Sequence, residues 1–403
     1  MRSTPAPGLP TADPPHRPSA DPAGPGGDGP VEASAVDADV PAAVGRELRA
    51  LLAVRLVGCR ELDPVFARDI AERVAHFAGR GGRRIRPRLL WWSLRACGGE
   101  DAPRVRAALR TAAALELVQT CALVHDDLMD RAPVRRRGPA LHADLTAQYT
   151  GAALPPAAER LGTSGALLAG DTALAWADDV LTDVLLDGGL PDRTVARLRG
   201  VWRALRTEMA AGQYLDVQGQ ATADRTLTRA TRAAELKSAR YTVERPLELG
   251  AVLAGADAVT TAALCRAGRA AGLAFQLRDD LDDLFADPGS TGKPSGGDIR
   301  EGKPTSLLAM ARALAAAGDR DALGVLDRST GRADLTPAQL ADVRAAVVAT
   351  GAPGLIRARI ARLTAQSLRH LDAATLHPVP AARLRALLDE ITATPDTSTE
   401  AAR

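Results

Sequence analysis

Apolar residues recur every three to four positions through most of the chain after residue 44. Leu48, Leu51, Leu52 and Val54 begin this pattern, and residues 109–124 repeat it at greater length. Such spacing places apolar side chains on one face of an α-helix, whereas a half-buried strand would alternate with a period of two. The spacing returns in "LLAGDTALAWADDVL", in "VARLRGVWRALRTEMAAGQYLDVQG" and over residues 259–285. The pattern therefore predicts an all-α fold built from long helices.

Segments rich in glycine and proline divide these helices. Residues 148–164 contain Gly151, Pro155 and Pro156 and are predicted to form a loop. A glycine-rich loop, "ADPGSTGKPSGGDIREGKPTS", follows residues 259–285, and three or four shorter helices should complete the fold. The expected architecture is a single large helical bundle with polar loops at one end.

The two ends of the chain differ from this domain. Residues 1–41 consist mainly of Pro, Gly, Ala, Ser and Asp, with hardly any large apolar side chain to bury. We predict that they are disordered and serve either as a solubilising tail or as an arm that docks to a protein partner or compartment. Residues 42–391 then form the helical domain, and residues 392–403 form a frayed tail.

Composition narrows the possible functions. A net charge of +2 gives no general attraction to nucleic acid, so any electrostatic function must come from local clusters. The four cysteines, Cys59, Cys97, Cys121 and Cys265, show no metal-ligand spacing and are predicted to be free thiols in a reducing cytosol. Because no apolar run reaches about 18 residues and no signal core precedes the domain, we expect neither a membrane span nor secretion, but a cytoplasmic protein.

Two acidic clusters share one spacing. The segment "VHDDLMD" carries Asp126, Asp127 and Asp130, and "FQLRDDLDD" carries three more aspartates with the same intervals, at positions 279, 280 and 283. On a helix, residues three and four apart lie on one face, so each cluster brings carboxylates together. Hard oxygen ligands of this kind suit Mg²⁺ that also holds substrate phosphates. One such cluster alone could be a solvated acidic turn, but two that line one bundle interior favour a shared magnesium site.

Basic residues accompany both clusters. They are Arg83, Arg84 and Arg86 in "GGRRIRP", Arg135 and Arg136 after the first acidic cluster, Lys237, and Lys293 and Lys303 around the glycine-rich loop. Each alone is typical of a solvated surface charge. Together they complement phosphate oxygens, since arginine forks and lysine ammonium groups bind these oxygens, and they predict two phosphate sites.

Over residues 44–389 the chain resembles the trans-isoprenyl diphosphate synthases of the polyprenyl synthetase family, and bacterial geranylgeranyl diphosphate synthases in particular. "GGRRIRP" is similar to the family element GGKRxRP, "KSA" to a KTA-like element, and "GKPSGGDIREGKPT" to the loop GKxxGxDIxxGKxT; the two acidic clusters are similar to the two aspartate-rich motifs. The resemblance implies an all-α bundle around a deep cavity. It also implies a homodimer and about three Mg²⁺ ions per active site.

The resemblance implies a head-to-tail condensation. An allylic diphosphate ionises, the double bond of isopentenyl diphosphate attacks the allylic cation, and a proton is lost to the released diphosphate, so no side chain need be a strong base. Residues with a predicted catalytic role are Asp126, Asp127, Asp130, Lys237, Gln276 and Asp279. Predicted metal ligands are Asp126, Asp127, Asp130, Asp279 and Asp280, with Asp283 acting through water.

The substrate sites also follow from the resemblance. Residues implied to hold the allylic diphosphate or support its cation are Arg135, Lys237, Ser238, Gln276, Lys293 and Lys303. Residues implied for the isopentenyl diphosphate site are Gly82, Arg83, Arg86, Gln119 and Arg136. Three positions depart from the family pattern: Arg83 replaces Lys, Ser238 replaces Thr, and Arg137 replaces a Gly.

Product length should depend on the residues before the first acidic cluster. Cys121 and Ala122 are small, whereas short-chain relatives similar to farnesyl diphosphate synthases often have aromatic residues there. Val118 and Leu115, one and two turns deeper, are predicted to form the floor of the tail pocket. This pattern favours the geranylgeranyl product.

Two other functions are weighed against this one. A class I terpene cyclase also ionises an allylic diphosphate, but it lacks a second DDxxD and a second diphosphate site, and the predicted scarcity of aromatic residues in the cavity argues against it. A non-catalytic partner subunit would usually lose aspartates, whereas both DDxxD patterns are intact here.

Overall fold

The structure is a computed structural model that describes residues 32–135, 138–152, 154–287 and 295–394. Most of the predicted N-terminal arm lies outside these ranges, as do Arg136, Arg137, Lys293 and most of the predicted C-terminal tail. In the first half of the chain the α-helices are α1 (Ala33–Ala38), α2 (Val40–Leu62), α3 (Pro64–Phe66), α4 (Glu72–Gly79), α5 (Ile85–Ala96), α6 (Ala102–Met129), α7 (Leu141–Tyr149) and α8 (Pro155–Leu186).

The second half of the described chain is also helical. Its α-helices are α9 (Asp192–Thr222), α10 (Leu227–Ala234), α11 (Arg245–Ala254), α12 (Ala258–Phe285), α13 (Gly297–Glu301), α14 (Ser306–Gly318), α15 (Arg320–Ser329), α16 (Pro337–Ala349), α17 (Ala352–Asp372) and α18 (Pro378–Thr392). Two π-helical segments interrupt the series, π1 (Ala67–Ala71) and π2 (Glu235–Glu244). Two short antiparallel strands, β1 (Val134–Arg135) and β2 (Gly138–Pro139), follow the first acidic cluster. The all-α prediction is confirmed.

Helix α6 is the central helix of the bundle. Asp101 caps its N-terminus by accepting a hydrogen bond from the Arg104 N–H at 3.1 Å, and Pro103 occupies the first turn. The helix packs against α2, α5 and α8. It is apolar enough by composition to cross a membrane, yet 78% of its most apolar window is buried inside the fold. Burial of that extent on several sides is what a core helix of a bundle requires.

Helix α12 carries the second acidic cluster. Asp257 caps it by accepting from the Thr260 N–H at 2.8 Å. The helix packs against π2 on one side and α17 on another, and the Ser367 hydroxyl of α17 donates to the Ala267 carbonyl at 2.8 Å. The two hydrogen bonds hold the N-terminal half of α12, and Asp279 and Asp280 lie near its C-terminal end.

Two expected segment boundaries and one expected number of helices are wrong. Residues 32–41 are not part of a disordered arm, because α1 and the start of α2 bury Val36 and Val40 in the core. The predicted loop over residues 148–164 ends early, since Pro155 occupies the first turn of α8, where its missing N–H costs no hydrogen bond. Within the part of the chain that the structure describes, five helices, α14 to α18, follow the glycine-rich loop, whereas three or four were expected.

Candidate active site

A cavity of about 810 Å³ opens between α6, α9, π2 and α12. The predicted site residues that line it are Arg86, Gln119, Cys121, Ala122, Asp126, Arg135, Lys237, Ser238, Gln276, Asp279, Asp280 and Lys303. Asp126 of the first acidic cluster and Asp279 and Asp280 of the second therefore face one space, although 153 residues separate Asp126 from Asp279 in the chain. The predicted residues that lie in the described chain but outside this lining are Gly82, Arg83, Leu115, Val118, Asp127, Asp130 and Asp283.

Asp126 is the most heavily bonded carboxylate of the first cluster. One of its oxygens accepts hydrogen bonds from the Lys237 ammonium and the Gln213 amide, each at 3.0 Å. The Arg135 guanidinium lies 3.4 Å from the other oxygen. Burial raises the pKa of Asp126, but the Lys237 and Lys303 charges outweigh it and bring the pKa to about 2. Asp126 is therefore ionised at neutral pH.

The other two aspartates of the first cluster are held by cations behind the cavity wall. Arg135 donates to one oxygen of Asp127 through its Nε at 2.5 Å, and the second oxygen of Asp127 is buried without a hydrogen-bond partner among the described residues. The Lys303 ammonium lies 2.7 Å from Asp130 and 2.6 Å from Glu301. Arg135 and Lys303, which line the cavity, are thus fixed by these carboxylates.

The second cluster is less well neutralised. Asp280 accepts from the Gln276 amide at 2.9 Å and from the Ser306 backbone N–H at 3.0 Å. Burial raises the pKa of Asp280 to about 7, and the charge of exposed Asp279 adds to the rise despite the Gln276 hydrogen bond. Any cation that enters the cavity would stabilise the ionised form of a carboxyl group in that position.

Asp283 lies outside the cavity lining. Its carboxylate accepts from the Asp298 backbone N–H at 3.1 Å, and its carbonyl accepts from the Gly296 N–H at 2.8 Å. These two hydrogen bonds hold Gly296 and Asp298, at the end of the glycine-rich loop, against α12. Its role as a water-mediated metal ligand stays a prediction.

The donor chemistry fits Mg²⁺, although protein cations neutralise most of these carboxylates in this conformation. Within the described ranges, no three Asp, Glu, His or Cys side chains approach closely enough to hold one ion. The fit rests on hard oxygen donors on both sides of the cavity, on the unpartnered oxygen of Asp127 and on the weakly neutralised Asp280. A metal ion that bound the same oxygen of Asp126 would compete with the Lys237 ammonium.

A second basic region lies near the start of α5. Arg86 stacks over the Tyr241 ring with its guanidinium carbon 4.3 Å from the centroid, and it donates to the Thr242 hydroxyl at 2.7 Å. The Tyr241 hydroxyl donates to the Gln119 side-chain carbonyl at 2.9 Å. These contacts place Arg86 and Gln119 at one wall of the cavity. Arg83, by contrast, is half-exposed and lies 3.1 Å from Glu390 of α18.

Segment π2 positions Lys237, Ser238, Tyr241 and Thr242 toward the cavity. Its wider turn lets residues four and five apart share a face, and π-helical turns are frequent at functional sites. Two glycines allow neighbouring helices to approach its backbone. A Cβ on Gly212 of α9 would lie 2.3 Å from the backbone nitrogen of Lys237, and a Cβ on Gly272 of α12 would lie 2.5 Å from the Ala239 Cα.

We expect Gly212→Ala to displace Lys237 and to lower both stability and turnover. The added methyl group overlaps backbone atoms, so the helices must separate, at a cost of roughly 1–3 kcal/mol. The melting temperature and kcat measure the two effects. Gly200→Ala on the same helix meets nothing within 4 Å and serves as the control. A Gly212→Ala protein with unchanged melting temperature and kcat would contradict this packing.

Several lining residues were not predicted from the sequence. They are Gln213, Tyr214 and Asp216 on α9, Tyr241 and Thr242 on π2, and Phe275 on α12. Asp216 lies 2.7 Å from the Lys237 ammonium. The spacing of Gln213 and Asp216, three residues apart, was the available signal, since it places two polar groups on one helix face. The expected scarcity of aromatic residues in the cavity is wrong.

The apolar part of the cavity lies beyond the first acidic cluster. Its described lining there includes Cys121, Ala122, Leu123, Leu174 and Met209. Leu115 and Val118 are fully buried in the core and do not belong to the lining. The prediction that these two side chains form the floor is therefore wrong, because α6 buries that part of its surface against neighbouring helices.

Comparisons with known proteins agree with this geometry. A sequence profile described as Polyprenyl synthetase matches residues 68–339. The chain is 31% identical over 260 residues to a geranylfarnesyl diphosphate synthase of Aeropyrum pernix, covering 64% of this chain and 75% of the relative. It is 33% identical over 306 residues to a (2E,6E)-farnesyl diphosphate synthase of Mycobacterium tuberculosis, covering 76% of this chain and 78% of the relative.

A solved structure is also similar. It is a geranylgeranyl pyrophosphate synthase from Corynebacterium glutamicum complexed with isoprenyl diphosphate and magnesium. The TM-score is 0.82 at 36% sequence identity, over 87% of this chain and 98% of the other. The relatives with this likeness carry names for three different product lengths.

Proposed function

We propose that this chain, which belongs to the polyprenyl synthetase family and is a trans-prenyltransferase, makes geranylgeranyl diphosphate. Its substrates would be isopentenyl diphosphate and an allylic diphosphate. The observation that carries the proposal is the cavity itself. Its mouth brings Asp126, Asp279 and Asp280 together with Lys237, and small or apolar side chains line the space beyond. A charged head and an apolar tail of one substrate fit this division.

The first substrate site is built around the departing diphosphate. Carboxylates of both clusters would hold Mg²⁺, which when bound supplies positive charge to the leaving group. Arg135, Lys237 and Lys303 then act as fixed cations for the diphosphate oxygens, with Lys293 predicted to join them from outside the described residues. Such groups act most strongly where water is excluded, because charges there are poorly screened.

The second site takes isopentenyl diphosphate. Arg86 and Gln119 would face its diphosphate from the wall where Tyr241 and Thr242 orient them. Gly82, Arg83 and Arg136 are predicted to complete this site, and Arg83 must leave Glu390 to do so.

The reaction then needs few side-chain steps. The allylic C–O bond breaks, and the bonding pair leaves with the diphosphate. The double bond of isopentenyl diphosphate attacks the allylic carbon to form the new C–C bond, which leaves a cation on the isopentenyl unit. That unit loses a proton from carbon to the released diphosphate, and the C–H bonding pair forms the new double bond. Oxygen dipoles of Ser238 and Gln276, which both line the cavity, would support the cationic carbon.

Product length is the finer part of the proposal. Cys121 and Ala122 line the apolar part of the cavity, and their small volume leaves room for a long tail.

The experiment is incubation of the full chain with labelled isopentenyl diphosphate, Mg²⁺ and each allylic starter, followed by chromatography. Geranylgeranyl diphosphate as the main product supports the proposal, whereas farnesyl or geranylfarnesyl diphosphate would replace it. A cyclic hydrocarbon formed without isopentenyl diphosphate would favour a terpene cyclase, and no turnover would favour a non-catalytic subunit.

We expect Cys121→Phe to shorten the product by one or more isoprene units. Cys121 is buried, with its sulfur 3.7 Å from His125 Nδ1, so a ring at this position must project into the tail space or disturb α6. Product chromatography measures the length, and a thermal melt shows whether overpacking has destabilised the fold. Cys121→Ser is the control, with unchanged length. A folded Cys121→Phe enzyme with the wild-type product would refute this placement of the tail.

We also propose that the enzyme is a cytoplasmic homodimer. A protein of 42.0 kDa would then have about twice that mass by light scattering, and a monomeric mass would refute the dimer.

A further inference from the structure

A buried ion pair lies beneath the second basic region, outside the cavity lining. The Arg84 guanidinium is 3.2 Å from the Glu116 carboxylate, and the two side chains are only 6% and 10% exposed. Glu116 lies in the middle of α6, between the fully buried Leu115 and Leu117. Burying such a pair rarely increases stability over apolar residues of similar volume, because both charges lose their hydration. Stability alone therefore does not explain why the pair is present.

The backbone at Arg84 is also unusual. Its φ of 43° and ψ of 46° are left-handed, a conformation that residues other than glycine seldom adopt. Gly81 and Gly82 before it also have positive φ values, of 73° and 146°. The Arg84 carbonyl accepts the first helical hydrogen bond of α5, from the Arg88 N–H at 3.1 Å. A turn of this shape persists only when surrounding contacts hold it.

The Arg84 side chain provides such a contact by reaching between two other helices. Its Nη1 pairs with Glu116 of α6, and its Nη2 would lie 3.7 Å from a Cβ on Gly45 of α2. At that distance a methyl group would make ordinary van der Waals contact, so α2 packs beside the guanidinium without bonding to it. Arg84 thus fixes the turn at residues 81–84 against α6 and lies next to α2.

The pair connects the two elements that carry the second basic region. Arg86 lies two residues after Arg84, in the first turn of α5, and lines the cavity. Gln119 lies one turn after Glu116 on α6 and also lines the cavity. Through Tyr241 and Thr242, Arg86 and Gln119 contact the same face of π2. The position of α5 relative to α6 therefore determines how close the Arg86 and Gln119 side chains come to each other.

We propose that Arg84 and Glu116 are positioning residues for isopentenyl diphosphate, acting through Arg86, Gln119 and the turn that carries Arg83. This inference rests on the proposed function. Neither residue touches substrate in this role. Their loss should impair binding of isopentenyl diphosphate and leave the allylic site, on Lys237 and Arg135, almost unchanged.

The test compares the two KM values in the double variant Arg84→Met with Glu116→Met. Removing both charges avoids leaving one of them buried and unpaired. We expect the KM for isopentenyl diphosphate to rise by about tenfold or more, because a small displacement of binding groups has a large effect. The allylic KM should stay within about threefold, since Asp126, Lys237 and Arg135 keep their contacts. Circular dichroism and a thermal melt confirm folding. Glu116→Gln, which preserves shape, is measured alongside and replaces the double variant if that protein does not fold.

The matched control removes a different buried pair. Asp69 and Arg73, 10% and 18% exposed, lie on π1 and α4 away from the cavity lining. Asp69→Met with Arg73→Met should lower stability without changing the ratio of the two KM values. An unchanged ratio in the Arg84 and Glu116 variants would overturn the inference. A wild-type enzyme that does not consume isopentenyl diphosphate would instead refute the proposed function.

Discussion

Asp126→Asn is expected to lower kcat by about a thousandfold or more while leaving the fold intact. The carboxylate is ionised, with a pKa of about 2, and lies at the centre of a network with Lys237, Gln213 and Arg135. The amide keeps the shape but removes the negative charge with which this position would hold Mg²⁺. Bound cations contribute several kcal/mol of charge stabilisation in the transition state, and each 1.36 kcal/mol changes the rate about tenfold. Steady-state kinetics with saturating substrates measure the effect.

The control is an aspartate inside the second acidic run that does not line the cavity. Asp282 lies 3.2 Å from Arg278 and outside the cavity lining, so Asp282→Asn should keep kcat within about threefold. Equal losses of kcat in the two variants would show that the total negative charge of these segments, and not the position of Asp126, supports catalysis.

Lys237→Gln is expected to lower kcat by about a hundredfold to a thousandfold, the usual effect of removing one fixed donor from a developing anion. Lys237 bridges Asp126 and Asp216 at 3.0 Å and 2.7 Å in this conformation. These two charges raise its pKa against the opposing effect of burial, so the ammonium is protonated and available to a diphosphate.

Arg232→Gln is the matched control for Lys237→Gln. Arg232 also pairs with an acid, Glu235 at 2.8 Å, but it lies outside the cavity lining and half its side chain is exposed. Its substitution should leave kcat unchanged, as expected for an exposed pair. A Lys237→Gln enzyme that retained more than about a third of wild-type kcat would remove Lys237 from the leaving-group site.

The sequence predicted the helices of the bundle because helix formation depends on local spacing. The repeated interval of the two acidic clusters predicted that they meet, and Asp126 does share the cavity with Asp279 and Asp280. Asp130, by contrast, follows the last residue of α6 and lies outside the cavity lining. The N-terminal bounds of α6 and α12 follow from the caps Asp101 and Asp257 for the same reason. Such bounds depend on residues within one or two turns of each other.

The errors came from features that depend on contacts across the fold. Helix α6 is buried on several sides, so its periodicity does not distinguish the cavity face from the core face, and Leu115 and Val118 were assigned to the wrong one. Segment π2 has no local signature, because its wider turn is supported by Gly212 and Gly272 on other helices. The pairing of Arg84 with Glu116 likewise joins residues 32 positions apart.

A crystal structure with Mg²⁺ and a thiolodiphosphate analogue of the allylic substrate, which binds without ionising, tests the central claim most directly. We predict one group of metal ions that contacts both Asp126 and Asp279, with the diphosphate on Lys237 and Arg135 and the hydrocarbon tail alongside Cys121 and Ala122. Metal ions bound to only one acidic cluster, or a diphosphate bound outside this cavity, would contradict it.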